Sequence, residues 1–166
     1  MIQINPLPKG VKYAKLTKEK VHYWWEKLKN FDHLFNDDTY YDEINFFTKM
    51  FGENTHILEV EDKGIMVLDN VIEGLKAQAH VSFWDFKLSA RTKLIQDCLI
   101  WAILEFNLYR IEISIPEFSR ALRRFVERRL NFKYEGRLRE TLWYKGQLVD
   151  MIVLSVLRRE VLEWHQ

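Results

Sequence analysis

The sequence predicts a single α/β domain, a mixed and mostly antiparallel sheet of about six to seven strands flanked by helices. Three observations lead there. Strand-like and helix-like stretches follow one another as strand, two helices, three strands, helix, strand, helix and two strands, an order that allows one parallel crossover inside an otherwise antiparallel sheet. The 166 residues match one domain, and a hydrophobic share of 48% is enough for a sizeable core. Gly (6) and Pro (3) are too scarce to build a linker, and no repeat or low-complexity segment interrupts the chain, so 1–166 reads as one unit.

Each element has its own signal. Val11–Leu16 reads as a short strand. Thr17 caps a helix over Lys18–Lys29, with Val21, Trp24, Trp25 and Leu28 at helical spacing. Tyr41, Ile44, Phe47 and Met50 recur every third residue, which predicts a helix over Asp38–Phe51 with Gly52 beyond its end. His56–Val60 and Gly64–Val71 are strands joined at Glu61-Asp62-Lys63. In Leu75–Phe83, Leu75, Ala77, Ala79, Val81 and Phe83 alternate with Lys76, Gln78, His80 and Ser82, the period of a strand with one polar face. Ala90–Phe106 is a long apolar-faced helix, Tyr109–Ile115 a strand and Glu117–Leu130 a basic helix. Leu138–Tyr144 and Val149–Leu154 form a hairpin around Lys145-Gly146-Gln147, and Val156–Trp164 is a terminal helix or tail. The crossover joins 75–83 to 109–115, so a ligand is expected where those parallel strands diverge, near the start of the helix between them.

Composition excludes several functions. Lys and Arg (25) balance Asp and Glu (24), which leaves no general attraction for nucleic acid or anionic membranes. No apolar run reaches membrane-spanning length, and Met1–Gly10 lacks the pattern of a signal peptide, so a cytoplasmic location is expected. The single cysteine, Cys98, lies in an apolar helical run and reads as a small buried hydrophobe. His22, His33, His56 and His165 have no ligand spacing, so no metal is expected.

The C-terminal third carries a family pattern. Leu130-Asn131-Phe132-Lys133-Tyr134-Glu135-Gly136 resembles an L-G-F-x-x-E-G segment, and Arg139, Tyr144 to Asp150, Leu157 and Glu160 follow without a gap in the order R…G…D…L…E. Leu108-Tyr109-Arg110-Ile111 is similar to an L-x-R-I strand start. Together these resemble the branch of the GNAT (general N-acetyltransferase) superfamily that acetylates the N-termini of ribosomal proteins. The resemblance extends from about Leu94 to Glu160 and is only architectural before that.

The resemblance implies a GNAT fold, acetyl-CoA as co-substrate and direct acetyl transfer to a primary amine, on a protein or peptide N-terminus or a small molecule, by a monomer or homodimer. It places the oxyanion donor at a backbone N–H around Phe83, Trp84 and Asp85. The cofactor's pyrophosphate falls on the loop with Lys87, Ser89, Ala90, Arg91 and Thr92. That loop departs from the family's R/Q-x-x-G-x-G/A, since 84–107 contains no glycine. Small residues at Ser89, Ala90 and Thr92 and cations at Lys87, Arg91 and Lys93 imply a binding mode carried more by side chains than by backbone. The family's N-x-x-S pair falls on Arg120 and Arg123, cationic neighbours for the 3′-phosphate. Asn131 stands where the family has glycine, and Asn tolerates the left-handed turn.

Acyl transfer to an amine needs a base and an acid. His80, on the polar face of its strand, is the first candidate base; a solvent-facing or satisfied histidine is its structural alternative. Glu112 is the second, with a cross-strand ion pair as its alternative. Tyr144 is the candidate acid, or a hairpin aromatic. The arginines of the basic helix are interspersed with Glu117, Glu127 and Glu135, and no stacking module accompanies them, which argues against nucleic acid. Asp32, Asp37, Asp38, Asp42 and Glu43, between and within the first two helices, are placed to attract an amine or to cap and solvate those helices. The missing glycines also support a second reading: a GNAT-fold protein without catalysis, serving as a binding or structural component in a phage or mobile-element setting. Trp84, Phe86 or Arg91 lying across the pyrophosphate position would favour it.

Overall fold

A computed structural model describes residues 5–31, 37, 42–50, 52–85 and 88–165, the side chains of 46, 47, 49, 50, 88, 89 and 165 excepted. The elements are β1 (Val11–Tyr13), α1 (Lys18–Leu28), α2 (Glu43–Met50), β2 (His56–Val60), β3 (Gly64–Ile72), β4 (Lys76–Phe83), α3 (Leu88–Glu105), β5 (Arg110–Pro116), α4 (Arg120–Arg129), β6 (Lys133–Tyr144), β7 (Gln147–Leu157) and α5 (Arg158–Leu162), followed by a 3-10 turn at Glu163–His165. The strands form one seven-stranded sheet in the order β1-β2-β3-β4-β5-β7-β6. Among the described residues only β4 and β5 pair in parallel. The helix between them, α3, is the crossover the sequence predicts.

Periodicity decides which face each element buries. On α3, Ile95, Cys98, Leu99, Ala102, Ile103 and Phe106 recur at steps of three and four and pack on Leu58, Met66, Leu68, Ala77, Ala79, Ile111 and Leu154 of the sheet. Each fully buried Leu or Ile contributes about 1.5–3 kcal/mol. Val126, Leu130 and Phe132 bring α4 and the turn after it onto the same face. On the opposite face, α1 lays Trp24 and Leu28 over Ile57, Ile65 and Val67 only, a smaller core above β2 and β3. Thr17 caps α1 by accepting the Lys20 N–H at 3.2 Å. The side of the sheet opposite α3 is therefore covered over β2 and β3, and over β4 and β5 it carries Gln78, His80, Glu112 and Ser114.

Several boundaries differ from the sequence reading. The C-terminal hairpin is longer, with β6 starting at Lys133 and β7 at Gln147. Charged residues break the alternation of β6, and its register shifts between Leu138 and Leu142, where Glu140 takes φ +51°. The Asp150 carboxylate accepts the Glu140 N–H at 2.7 Å and a bond from Arg137, which pins that bulge and accounts for the Asp of the closing motif. β7 runs to Leu157, so the last helix begins at Arg158 rather than Val156. Strand β1 stops at Tyr13, and α4 starts at Arg120, with Glu117 to Ser119 forming its approach. The expected start of α2 at Asp38 lies outside the described residues. Asn131 takes φ +54°, the left-handed turn expected of it.

Candidate active site

The parallel ladder between β4 and β5 is short. It pairs Lys76 with Arg110, Ala77 with Ile111 and Gln78 with Glu112, and stops there. Beyond it each strand continues, β4 to Phe83 and β5 to Pro116, while their outer neighbours stay paired along the full length. The two strands thus part in mid-sheet at their carboxyl ends, the position where open α/β sheets bind ligands. Both strands lead into helices, so the starts of α3 and α4 lie at this same end.

The antiparallel ladder sets which way the backbone of β4 points. Trp84 and Asp85 both donate their N–H groups to the Lys63 carbonyl, at 2.9 and 3.3 Å. Alternation along that ladder turns the N–H groups of Val81 and Phe83 the other way, toward β5. This corrects the expectation for Trp84 and Asp85. Their N–H groups are taken by the β2–β3 turn, and the Trp84 ring packs with the α1 core, 6.1 Å from Tyr23, with its indole N–H on the Asp62 carbonyl at 2.7 Å. Trp84 consequently does not lie across the start of α3.

The polar face of β4 and β5 forms the floor of the gap. Gln78 Nε2 donates to Ser114 Oγ at 3.3 Å across it. Glu112 holds Arg110 Nε at 2.7 Å and Lys76 Nζ at 3.4 Å, so its carboxylate is the cross-strand ion pair rather than a free base. Arg110 also reaches Glu135 at 3.0 Å, and Glu135 accepts from the buried Ser155 hydroxyl. Those contacts hold the Glu135 carboxyl below its ordinary range, the Ser155 bond first and the Arg110 charge second. His80 lies on β4 two residues beyond the last parallel pair. Its Nε2 lies 3.1 Å from Asp69 Oδ2, and its side chain keeps 41% exposure.

The remaining predicted residues separate into two regions. Ala90, Arg91 and Thr92 sit in the first turn of α3, whose first turn holds no acidic residue; Ser89 belongs to the same turn, and Lys87 lies outside the described residues, as does Phe86. The Arg91 guanidinium rests over the Phe83 ring, 5.9 Å from its centre, at the end of β4. On α4, Arg120 is exposed, whereas Arg123 bonds Glu127 at 2.9 Å and stacks over Tyr134 at 5.3 Å, toward β6. Tyr144 stacks on Phe118 at 4.4 Å and the Lys145 ammonium lies 5.3 Å from its ring centre, which is the hairpin role. Among the described residues no group of three or more His, Cys, Asp and Glu is arranged for a metal, and no helix is long and apolar enough to cross a membrane.

Asp69 escaped the sequence reading, and Asp37 has a partner that reading did not give it. Asp69 contacts His80 because β3 and β4 pair Asp69 with Gln78 and Val67 with His80, a diagonal that needs the register of the hairpin. Asp37 has a role no local pattern indicates. Its carboxylate accepts the N–H groups of Lys145 and Gly146 at 2.6 and 2.7 Å, and its own N–H donates to the Trp143 carbonyl. Lys145 and Gly146 take φ +50° and +72°, so their successive N–H groups converge on one anion. The connection between α1 and α2 is thereby tied at Asp37 to the β6–β7 turn.

This arrangement has solved counterparts. The chain is similar to a spermidine N-acetyltransferase SpeG chimera from Vibrio cholerae and hSSAT, with TM-score 0.71 and 16% identity over 93% of this chain and 99% of that one. It is also similar to an acetyltransferase (GNAT family) from Bacillus anthracis, with TM-score 0.68 and 17% identity over 92% and 97%. A third counterpart, a probable acetyltransferase, has TM-score 0.63 and 21% identity over 92% and 96%. The chain has the GNAT fold. No family model and no curated protein matches its sequence. At these identities the likeness concerns the fold, and the chemistry rests on the residues of this chain.

Proposed function

We propose that this chain transfers the acetyl group of acetyl-CoA directly to a primary amine. The observation that carries this reading is the parting of β4 from β5 beyond Gln78 and Glu112, with His80 on its polar floor and the start of α3 at its end. Acetyl-CoA supplies an activated acyl group as a thioester. The residues that would hold it are Ser89, Ala90, Arg91 and Thr92 of the first turn of α3, with Lys87 before them and Arg120 from α4. The helix start and these cations favour phosphate. The family's two glycines fall on Ser89 and Arg91 or on Ala90 and Thr92, none of which is glycine, so side chains carry more of the contact. The β4 edge between Gln78 and Phe83 faces the reacting carbonyl, His80 accepts the proton of the attacking amine, and proximity supplies much of the rate. Glu112 and Tyr144 are held in structural contacts, and Arg123 is turned toward β6, so no chemical role is given to them.

The acceptor is a primary amine, either a peptide N-terminus, which the motif resemblance favours, or a small amine. The spermidine named for similar structures makes spermidine the first small amine to test. Calorimetry with acetyl-CoA, alongside an Arg91→Glu variant, is the direct test. Micromolar binding weakened by the charge reversal supports the site, and thiol release with spermidine or with peptides bearing free N-termini then separates the acceptors. Absence of binding at millimolar acetyl-CoA overturns the reading. One observation favours the second reading of a non-catalytic binding protein: Arg91 folds onto Phe83 at the mouth of a glycine-free loop. Under that reading Arg91→Ala leaves acetyl-CoA binding undetectable.

A further inference from the structure

We infer that Asp69 is the positioning residue of His80: its carboxylate holds the imidazole by Nε2 and leaves Nδ1 as the atom that accepts the amine's proton. The inference rests on the acetyltransferase reading and adds to it the residue that sets the base's tautomer and orientation.

Chemistry decides the donor. An ionised carboxylate only accepts hydrogen bonds, so the 3.1 Å contact between Asp69 Oδ2 and His80 Nε2 places the proton on Nε2. In the neutral ring the lone pair is then on Nδ1. The other Asp69 oxygen, Oδ1, is buried with no hydrogen-bond partner among the described residues. Leaving a buried carboxylate oxygen unpartnered works against stability, so Asp69 is a poor choice as a mere strut. A Ser, Thr or Val at that position of β3 would suit the strand better. What Asp69 provides is the bond to His80.

The surroundings are consistent with one dominant partner. Other charged groups on this face are Glu59 on β2, held by Lys20 and Lys12, and Lys76 on β4 with Glu112 and Arg110 on β5, which neutralise one another with Glu135. α1, packed on this same face over β2 and β3, presents Val21, Tyr23, Trp24, Trp25 and Leu28. Asp69 is therefore the carboxylate that acts on His80. In the proposed step the amine nitrogen bonds to the acetyl carbon, the carbon–sulfur bond breaks, and the electron pair leaves on the CoA sulfur. The proton lost by the amine passes to Nδ1, and from there it leaves with the thiol product. Asp69 stabilises the imidazolium in between without being protonated itself.

The test uses the full chain labelled with 15N. The wild-type His80 ring should show an Nε2–H proton shielded from exchange with water, and Asp69→Ala should lose it. With spermidine or an N-terminal peptide as acceptor, kcat should fall roughly 10-fold to 100-fold in the variant while KM for acetyl-CoA stays unchanged. A purely structural Asp69 would change stability without that split. An absent ring proton in the wild type overturns the inference, as does an unchanged kcat in a folded Asp69→Ala protein. If Asp69→Ala does not fold, Asp69→Asn replaces it with the same expected loss of kcat. A protected ring proton in a protein that binds acetyl-CoA but acetylates no amine removes the catalytic role, and it identifies the acetyltransferase reading, not the Asp69 contact, as the failure.

Discussion

Gly64→Ala probes how the end of β4 is held beside the gap. Gly64 opens β3 opposite Phe83, the last residue of β4. A Cβ there would lie 2.0 Å from Phe83 Cδ1, 2.8 Å from Phe83 Cε1 and 2.7 Å from the Ser82 carbonyl oxygen. The ring can rotate away only by leaving the core it packs against. The carbonyl is backbone and cannot move without β4, so the strands must separate by roughly half an ångström in an interior packed as densely as a crystal. Overpacking of this kind costs about 1–3 kcal/mol, and the double clash with ring and carbonyl puts the expected cost near 3 kcal/mol. For a domain of this length each kcal/mol lowers Tm by about 2–4 °C, so a fall of roughly 6–12 °C follows. Differential scanning calorimetry at neutral pH reads it. Two controls separate the clash from the loss of glycine itself. Gly136→Ala meets nothing within 4 Å and should melt close to the wild type. Gly74→Ala also has open space, but its φ of +73° should cost about 1 kcal/mol. A Gly64→Ala protein melting within about 2 °C of the wild type would refute the reasoning. Because the adjacent Lys63 carbonyl holds the Trp84 and Asp85 N–H groups, the variant should also bind acetyl-CoA more weakly than its stability loss alone explains.

The other predictions concern charge and access. Glu59 is buried and pairs with Lys20 at 2.6 Å and Lys12 at 3.6 Å; Glu59→Gln should cost about 2 kcal/mol, less than a fully enclosed pair because Lys20 can reach water, and the double variant Glu59→Leu with Lys20→Met should recover most of it in chemical denaturation. Asp150 is held below its ordinary 3.8, first by the Glu140 N–H and then by Arg137. Its contribution is present above pH 3.8 and disappears as the pH falls through the depressed value. The Tm gap between wild type and Asp150→Asn should therefore stay constant at higher pH and close in acid. Cys98 is buried and its thiol is pushed up to about 12 by burial, with Asp97 adding to it. It should ignore an aromatic disulfide reagent at pH 8 until the protein unfolds, so that reagent reports released CoA thiol alone.

Much of the architecture was legible because local periodicity encodes it. The order of β4, α3 and β5, with the apolar stripe of α3, pointed to one parallel crossover and so to the location of a ligand gap. Within the gap, His80 was visible as the polar member of an alternating strand. Its contact with Asp69 was not, because a diagonal across a hairpin depends on a register that shifts between Asp69 and Ile72. Glu112 shows the converse: its type and face suited a base, and only the cross-strand geometry shows two cations already on its oxygens. Trp84 suits an oxyanion donor by its place at the end of β4, but its N–H is taken by the Lys63 carbonyl and its ring packs with the α1 core.

The sequence by itself determined which faces are apolar, the order of elements and the handful of polar residues that could meet at the parting strands. It did so because burial selects side chains locally, one strand or one helical turn at a time. The tertiary structure alone decided which of those residues pair: Asp69 with His80, Glu112 with Arg110 and Lys76, and Asp37 with a turn 108 residues away. Such contacts depend on strand register and on turns that bring distant segments within hydrogen-bond reach, and the pattern of any single segment carries no record of its partner's position.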